Sequence, residues 1–86
     1  MDHNGRVRKR ARELGDRVRA RRMDLGLSQE MLGERSGLHR TYIGQVERGE
    51  VNLTVRNLIA VADGLGIDVA ELVRGLGSHP PPPPPA

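Results

Sequence analysis

Apolar residues recur along this chain at three- and four-residue intervals, and no stretch alternates with the period of two that a half-buried strand requires. The pattern divides into short segments, each closed by a glycine and reopened by a capping side chain. A first helix is predicted over Ala11–Leu25, with Leu14, Val18 and Leu25 facing inward and Gly26 ending it. Ser28 caps a second over Gln29–Ser36, which Gly37 closes. A third spans Arg40–Arg48 and stops at Gly49, and Glu50–Leu53 form a loop. Thr54 caps a fourth over Val55–Leu65, closed by Gly66. Asp68 opens a fifth, with Glu71 placed to complete a capping box and Leu72 turned inward. The expected architecture is all-α, a bundle of five short helices.

Two flanks lie outside this periodicity. Residues 1–10 are polar and basic and read as a mobile arm, whereas residues 77–86 hold six consecutive prolines, which form only extended polyproline II. The folded unit is therefore expected over residues 11–76. With 86 residues there is room for one domain. One Tyr and no Phe or Trp leave a core of aliphatic side chains, poorly suited to a deep ligand cavity.

The absence of Cys excludes disulfides and thiolate chemistry and agrees with a reducing, cytoplasmic setting. No apolar run approaches the roughly 18 residues of a membrane span, and no apolar signal segment follows the basic start. No metal or other cofactor is expected, because His3, His39 and His79 are scattered and no carboxylate cluster joins them. Nor is there a nucleophile, base and orienting group at workable spacing, or a glycine-rich phosphate loop, so an enzyme is not expected.

Charge adds a direction. The formal net charge is only +3, but nine of the fourteen Lys and Arg residues lie between Arg6 and Arg22. Such a concentration favours a polyanion, since phosphate neutralisation releases condensed counterions; a solvated helix face is the alternative.

Two short helices joined through Ser36-Gly37-Leu38 have the form of a helix-turn-helix, whose second helix enters the major groove. Stepping 100° per residue along the third helix puts Arg40, Thr41, Gly44, Gln45 and Arg48 on one face and Tyr42, Ile43, Val46 and Glu47 on the other. The first face is rich in donors. Arg can bond two acceptors of guanine, and Gln can pair likewise with adenine.

The stretch from Leu27-Ser28-Gln29-Glu30 through Gly37-Leu38-His39-Arg40-Thr41-Tyr42-Ile43 to Val46-Glu47-Arg48-Gly49 and Asn52-Leu53-Thr54 resembles the phage-repressor, or Cro/Xre-like, helix-turn-helix family over about residues 12–74. His39–Ile43 and Asn52–Thr54 look most like the controller proteins of restriction-modification systems. The resemblance implies a transcriptional regulator that binds a double-stranded DNA operator as a homodimer.

It also distributes roles. Arg40 and Thr41, in the first turn of the third helix, and Gln45 one turn deeper are expected to read bases. Gly44 stands where relatives usually carry a side chain, so either the backbone approaches DNA there or the position is tolerant. His39 replaces the usual Ser or Thr cap and is expected to cap poorly and to contact DNA instead. Gln29 and Ser28, at the start of the second helix, and Arg48 and Asn52, beyond the end of the third, are suited to phosphates. Tyr42 either packs inward or sends its hydroxyl to a phosphate. Arg22 and Glu47 are implied to be a partly buried ion pair.

The remaining apolar stripe, Val69, Leu72, Val73 and Leu76, either forms the dimer interface or completes the monomer core. The basic arm is placed to track phosphates or enter a minor groove. The proline tail either meets an aromatic groove or carries no role. A rival reading makes the chain an antitoxin or adaptor that uses the same fold to hold a protein.

Overall fold

The computed structural model describes residues 3–77 and 82–85. Among them are five helices and no strand: α1 His3–Asp24, α2 Gln29–Ser36, α3 Arg40–Glu47, α4 Val55–Leu65 and α5 Val69–Val73. Met1 and Asp2 of the expected arm, and residues 78–81 and 86 of the expected tail, lie outside the described residues. Residues 82–85 are exposed and belong to no helix or strand.

Local chemistry explains the boundaries of the middle helices. The Ser28 hydroxyl accepts from the Met31 N–H at 3.0 Å and the Thr54 hydroxyl from the Asn57 N–H at 3.1 Å, each satisfying an amide that has no partner within its helix. Asp68 accepts from the Ala70 N–H at 2.8 Å, so this carboxylate alone caps α5. Gly37 ends α2 at φ +71°, a left-handed conformation that is cheap only for glycine, and the Leu38 N–H returns to the Gly33 carbonyl at 2.9 Å. That reversal sets α3 against α2.

Two boundaries differ from expectation. α1 begins at His3 rather than Ala11. Arg, Lys and Ala are good helix formers, no proline interrupts them, and Val7 and Ala11 line a groove with Val51 and Asn52 of the loop after α3. The other difference is Leu25, which is 41% exposed instead of inward. The chain reverses at Gly26, where the Leu27 N–H bonds back to the Arg22 carbonyl at 3.0 Å, so Leu27 is the residue that returns to the interior.

The core is aliphatic throughout: Val18, Leu32, Ile43, Val46, Val61, Ala62, Leu65 and Leu72 are all buried together. α2 packs against α3 and α4, and α1 lies across α3. At that crossing Gly15 sits against the backbone carbonyls of Val46 and Glu47, where a Cβ would collide with both. The close approach fixes α1 beside the last turn of α3, and everything described below depends on that placement.

Candidate nucleic-acid interface

A polar chain runs from α1 through α3 to the start of α2. Arg22 donates from Nε to Glu47 Oε2 at 2.6 Å and from Nη2 to Oε1 at 3.0 Å, a two-point pairing that matches fork to carboxylate. Its Nη1 donates to the Leu27 carbonyl at 2.8 Å. Bonding to Glu47 outweighs desolvation and raises the Arg22 pKa further above its already high value. Glu47 is 7% exposed, and its Oε1 also accepts from Gln29 Nε2 at 3.2 Å. The ion pair implied for Arg22 and Glu47 is thus present, and it anchors Gln29 at the first turn of α2.

The residues expected to read bases lie on α3 beside this chain. Arg40 and Thr41 are exposed in the first turn and Gln45 is half-buried one turn on. Arg40 Nη1 lies 3.4 Å from Glu30 Oε2, a loose pair that leaves both side chains more than 60% exposed. Arg48 and Asn52 are exposed beyond the end of the helix, and Arg48 Nε pairs with Glu50 Oε2 at 3.0 Å. That bond raises the Arg48 pKa. Ser28 is exposed, with its hydroxyl committed to the cap.

Three expectations need correction. His39 does cap α3: its Nδ1 accepts from the Thr41 N–H at 3.0 Å, so the imidazole takes the part of the usual hydroxyl. Gly44 is buried and offers DNA no bare backbone. A Cβ there would lie 3.1 Å from Arg48 Nη1 and 3.5 Å from Gln29 Oε1, because these two side chains lie across it. A helical wheel treats one helix alone and cannot register the side chain that α2 lays over this position. Leu72, assigned to a dimer stripe, is only 2% exposed and belongs to the monomer core. Val69 and Val73 pack half-buried against that core, while Leu76 lines an apolar groove of about 240 Å³ with Val7, Leu14, Val51 and Leu58.

Tyr42 is half-buried against the core, and its hydroxyl accepts from Asn57 Nδ2 at 3.1 Å. Other contributors were not singled out from the sequence. Arg17 donates to the Leu72 and Arg74 carbonyls at 2.9 and 2.7 Å, holding the end of α5. Val55 and Ile59 are the exposed apolar residues of α4, 74% and 43% exposed, one helical turn apart. That i, i+4 spacing was the available signal for the pair; Arg17 offered none, its partners being 55 and 57 residues away. Among the described residues no group of His, Cys, Asp or Glu could hold a metal ion, and no helix is long and apolar enough to cross a membrane.

Comparison with known proteins agrees with this geometry. The helix-turn-helix family profile matches residues 18–72. Control protein C.SmaI of Serratia marcescens is 50% identical over 64 residues, covering 74% of this chain and 76% of that protein. The crystal structure of the restriction-modification controller protein C.AhdI from Aeromonas hydrophila superposes with a TM-score of 0.71 at 44% identity, over 72% of this chain and 94% of that one. The P22 c2 repressor, solved with a synthetic operator, gives 0.67 at 35% identity over the same shares. These relatives are transcription regulators. With α3 braced by Gln29, Glu47 and Arg22, the chain belongs to the Cro/Xre-like helix-turn-helix family of DNA-binding transcriptional regulators.

Proposed function

We propose that two copies of this chain bind a two-fold related operator in the cytoplasm and control transcription there, in the manner of a restriction-modification controller. α3 enters the major groove of each half-site. Arg40, Thr41 and Gln45 face base edges, with Arg40 directed at a guanine. Gln29, Ser28, Arg48 and Asn52 hold the backbone and set the register. Gly44 serves as the floor over which Gln29 and Arg48 lie, and His39 holds the first turn of α3 in place rather than reading sequence.

The observation that carries this reading is the pairing of exposed Arg40 and Thr41 with a buried support: Glu47, in the last turn of α3, is fixed by Arg22 and in turn fixes Gln29. Donors are thereby presented on a rigid helix, which limits the ordering cost of binding. The 50% identity to control protein C.SmaI supports the controller assignment. Dimerisation fits Val73 and Leu76, which are half-buried at and just after the end of α5, and it supplies the second half-site that one short helix lacks.

Selection of bound duplexes from a random pool tests the proposal. The expected product is a pair of inverted half-sites whose centres are about one helical turn apart, roughly 34 Å, or a multiple of that. A pool with no enriched sequence, or one enriched only in unpaired sites bound by monomers, would refute the operator-binding dimer.

A further inference from the structure

Among the basic residues of α1, two sets of three differ in how they are engaged. Arg10 pairs with Glu13, Arg17 holds the end of α5 and Arg22 holds Glu47, so these charges are committed within the protein. Arg8, Arg12 and Arg19 are exposed and take part in no ion pair among the described residues. On a helix these three fall within about 40° of one another, at intervals of four and seven residues.

Gly15 falls in the same sector, and it is the residue pressed onto the Val46 and Glu47 carbonyls. The sector therefore borders the last turn of α3. Arg12 lies against Gly49, whose added Cβ would be 2.9 Å from Arg12 Cγ, and Arg8 lines a groove with Gly49, Glu50, Val51 and Asn52. The stripe thus continues from the loop that carries Asn52 and follows Arg48. Two carboxylates adjoin it: Asp16 lies on α1 between Arg12 and Arg19, and Glu50 is paired with Arg48. Neither is engaged by the stripe.

We infer that Arg8, Arg12 and Arg19 form a second phosphate-binding surface that grips the duplex backbone beside the sequence read by α3. From Arg8 to Arg19 the helix rises about 16 Å. One strand places a phosphate every 3.4 Å or so along the axis, so the stripe spans roughly five phosphates. Guanidinium groups on a helix held by Gly15 and Arg22 are pre-positioned, which an unstructured basic arm would not be. The segment matched by the family profile begins at residue 18, so Arg8 and Arg12 lie ahead of it. The inference rests on the proposed DNA-binding function and adds affinity without adding sequence choice.

The full chain tests it through the salt dependence of binding, read with the selected duplex and with random duplex. Combining Arg8→Gln, Arg12→Gln and Arg19→Gln should reduce the slope of log K against log salt by about 2 to 3 and weaken both duplexes roughly 100-fold at physiological salt. The corresponding Lys variant should retain the slope. Arg12→Gln alone should lower the slope by about 0.9, whereas Arg21→Gln, which removes the same charge from another side of α1, should leave it unchanged. An unaltered slope in the triple Gln variant, with helicity and melting preserved, would overturn the inference. So would equal effects from Arg12→Gln and Arg21→Gln, which would report overall charge alone. If the unaltered protein prefers no duplex, the operator-binding proposal fails by itself, and the slopes still decide whether the stripe touches phosphate.

Discussion

Arg22–Glu47 and Arg40–Glu30 are the same chemical pair in two settings. The first is short, two-pronged and nearly dry, with side chains 12% and 4% exposed; the second spans 3.4 Å with side chains 64% and 62% exposed. Taking a charge out of water makes its partner obligatory, so the inner pair serves architecture. In water the same attraction is weak and easily exchanged, which leaves Arg40 available to another acceptor. The contrast separates the residues that hold α3 in place from those left exposed on its surface.

Breaking the inner pair should have the largest effect. Glu47→Ala leaves Arg22 without its carboxylate and Gln29 without its acceptor, and should cost about 3 to 5 kcal/mol of stability in thermal or denaturant unfolding. Replacing both members by apolar residues of similar volume should cost less than Glu47→Ala alone. If Glu47→Ala melts like the parent protein, the inner pair is not structural and the contrast fails.

The outer pair should respond in the opposite sense. Arg40→Ala should leave the melting temperature unchanged while weakening binding to the selected duplex by about 1 to 3 kcal/mol and relaxing preference at one base position. Parallel losses on selected and random duplex would assign Arg40 to phosphate instead of base.

Gly44→Ala probes the buried position between the two pairs. Helix propensity favours Ala by about 1 kcal/mol, and the group that must yield is the far end of the Arg48 side chain, 3.1 Å from the new Cβ. Stability should rise slightly by unfolding measurements, and DNA affinity should fall modestly as Arg48 is displaced. Glu30→Gln should be the mildest change. It removes a partner that exposure makes weak, so melting should not move, and binding to every duplex should tighten slightly as a negative charge leaves the surface proposed to face DNA.

What could be read from the sequence follows from the range of each interaction. The start of α2, α4 and α5 was legible at Ser28, Thr54 and Asp68 because a cap acts within three residues. The end of α2 was equally plain at Gly37, where φ is positive. α1 was harder to bound. Its first turns have a narrow apolar edge, and Val7 and Ala11 find their partners far along the chain, in the loop at 49–52 and at Leu58 and Leu76.

The site shows the same division. The outward direction of Arg40 and Thr41 is a property of α3 alone, and the wheel gave it correctly. The cover over Gly44 comes from Gln29, a residue on another helix. Tyr42 meets Asn57 across 15 positions and Arg17 meets Arg74 across 57, distances at which no spacing rule operates. The Arg22–Glu47 pair came from family resemblance, since 25 residues separate its members. His39 was misjudged for a chemical reason: a neutral imidazole nitrogen accepts an amide bond as a hydroxyl does.

Whether the exposed stripe of α3 distinguishes base edges is decided by equilibrium binding at physiological salt to two duplexes of equal length. One carries the selected half-sites and the other the same bases in scrambled order. The expected result is a preference of about 1,000-fold or more for the first, within the range by which sequence-specific regulators exceed their own non-specific binding. Equal affinity for the two would contradict it.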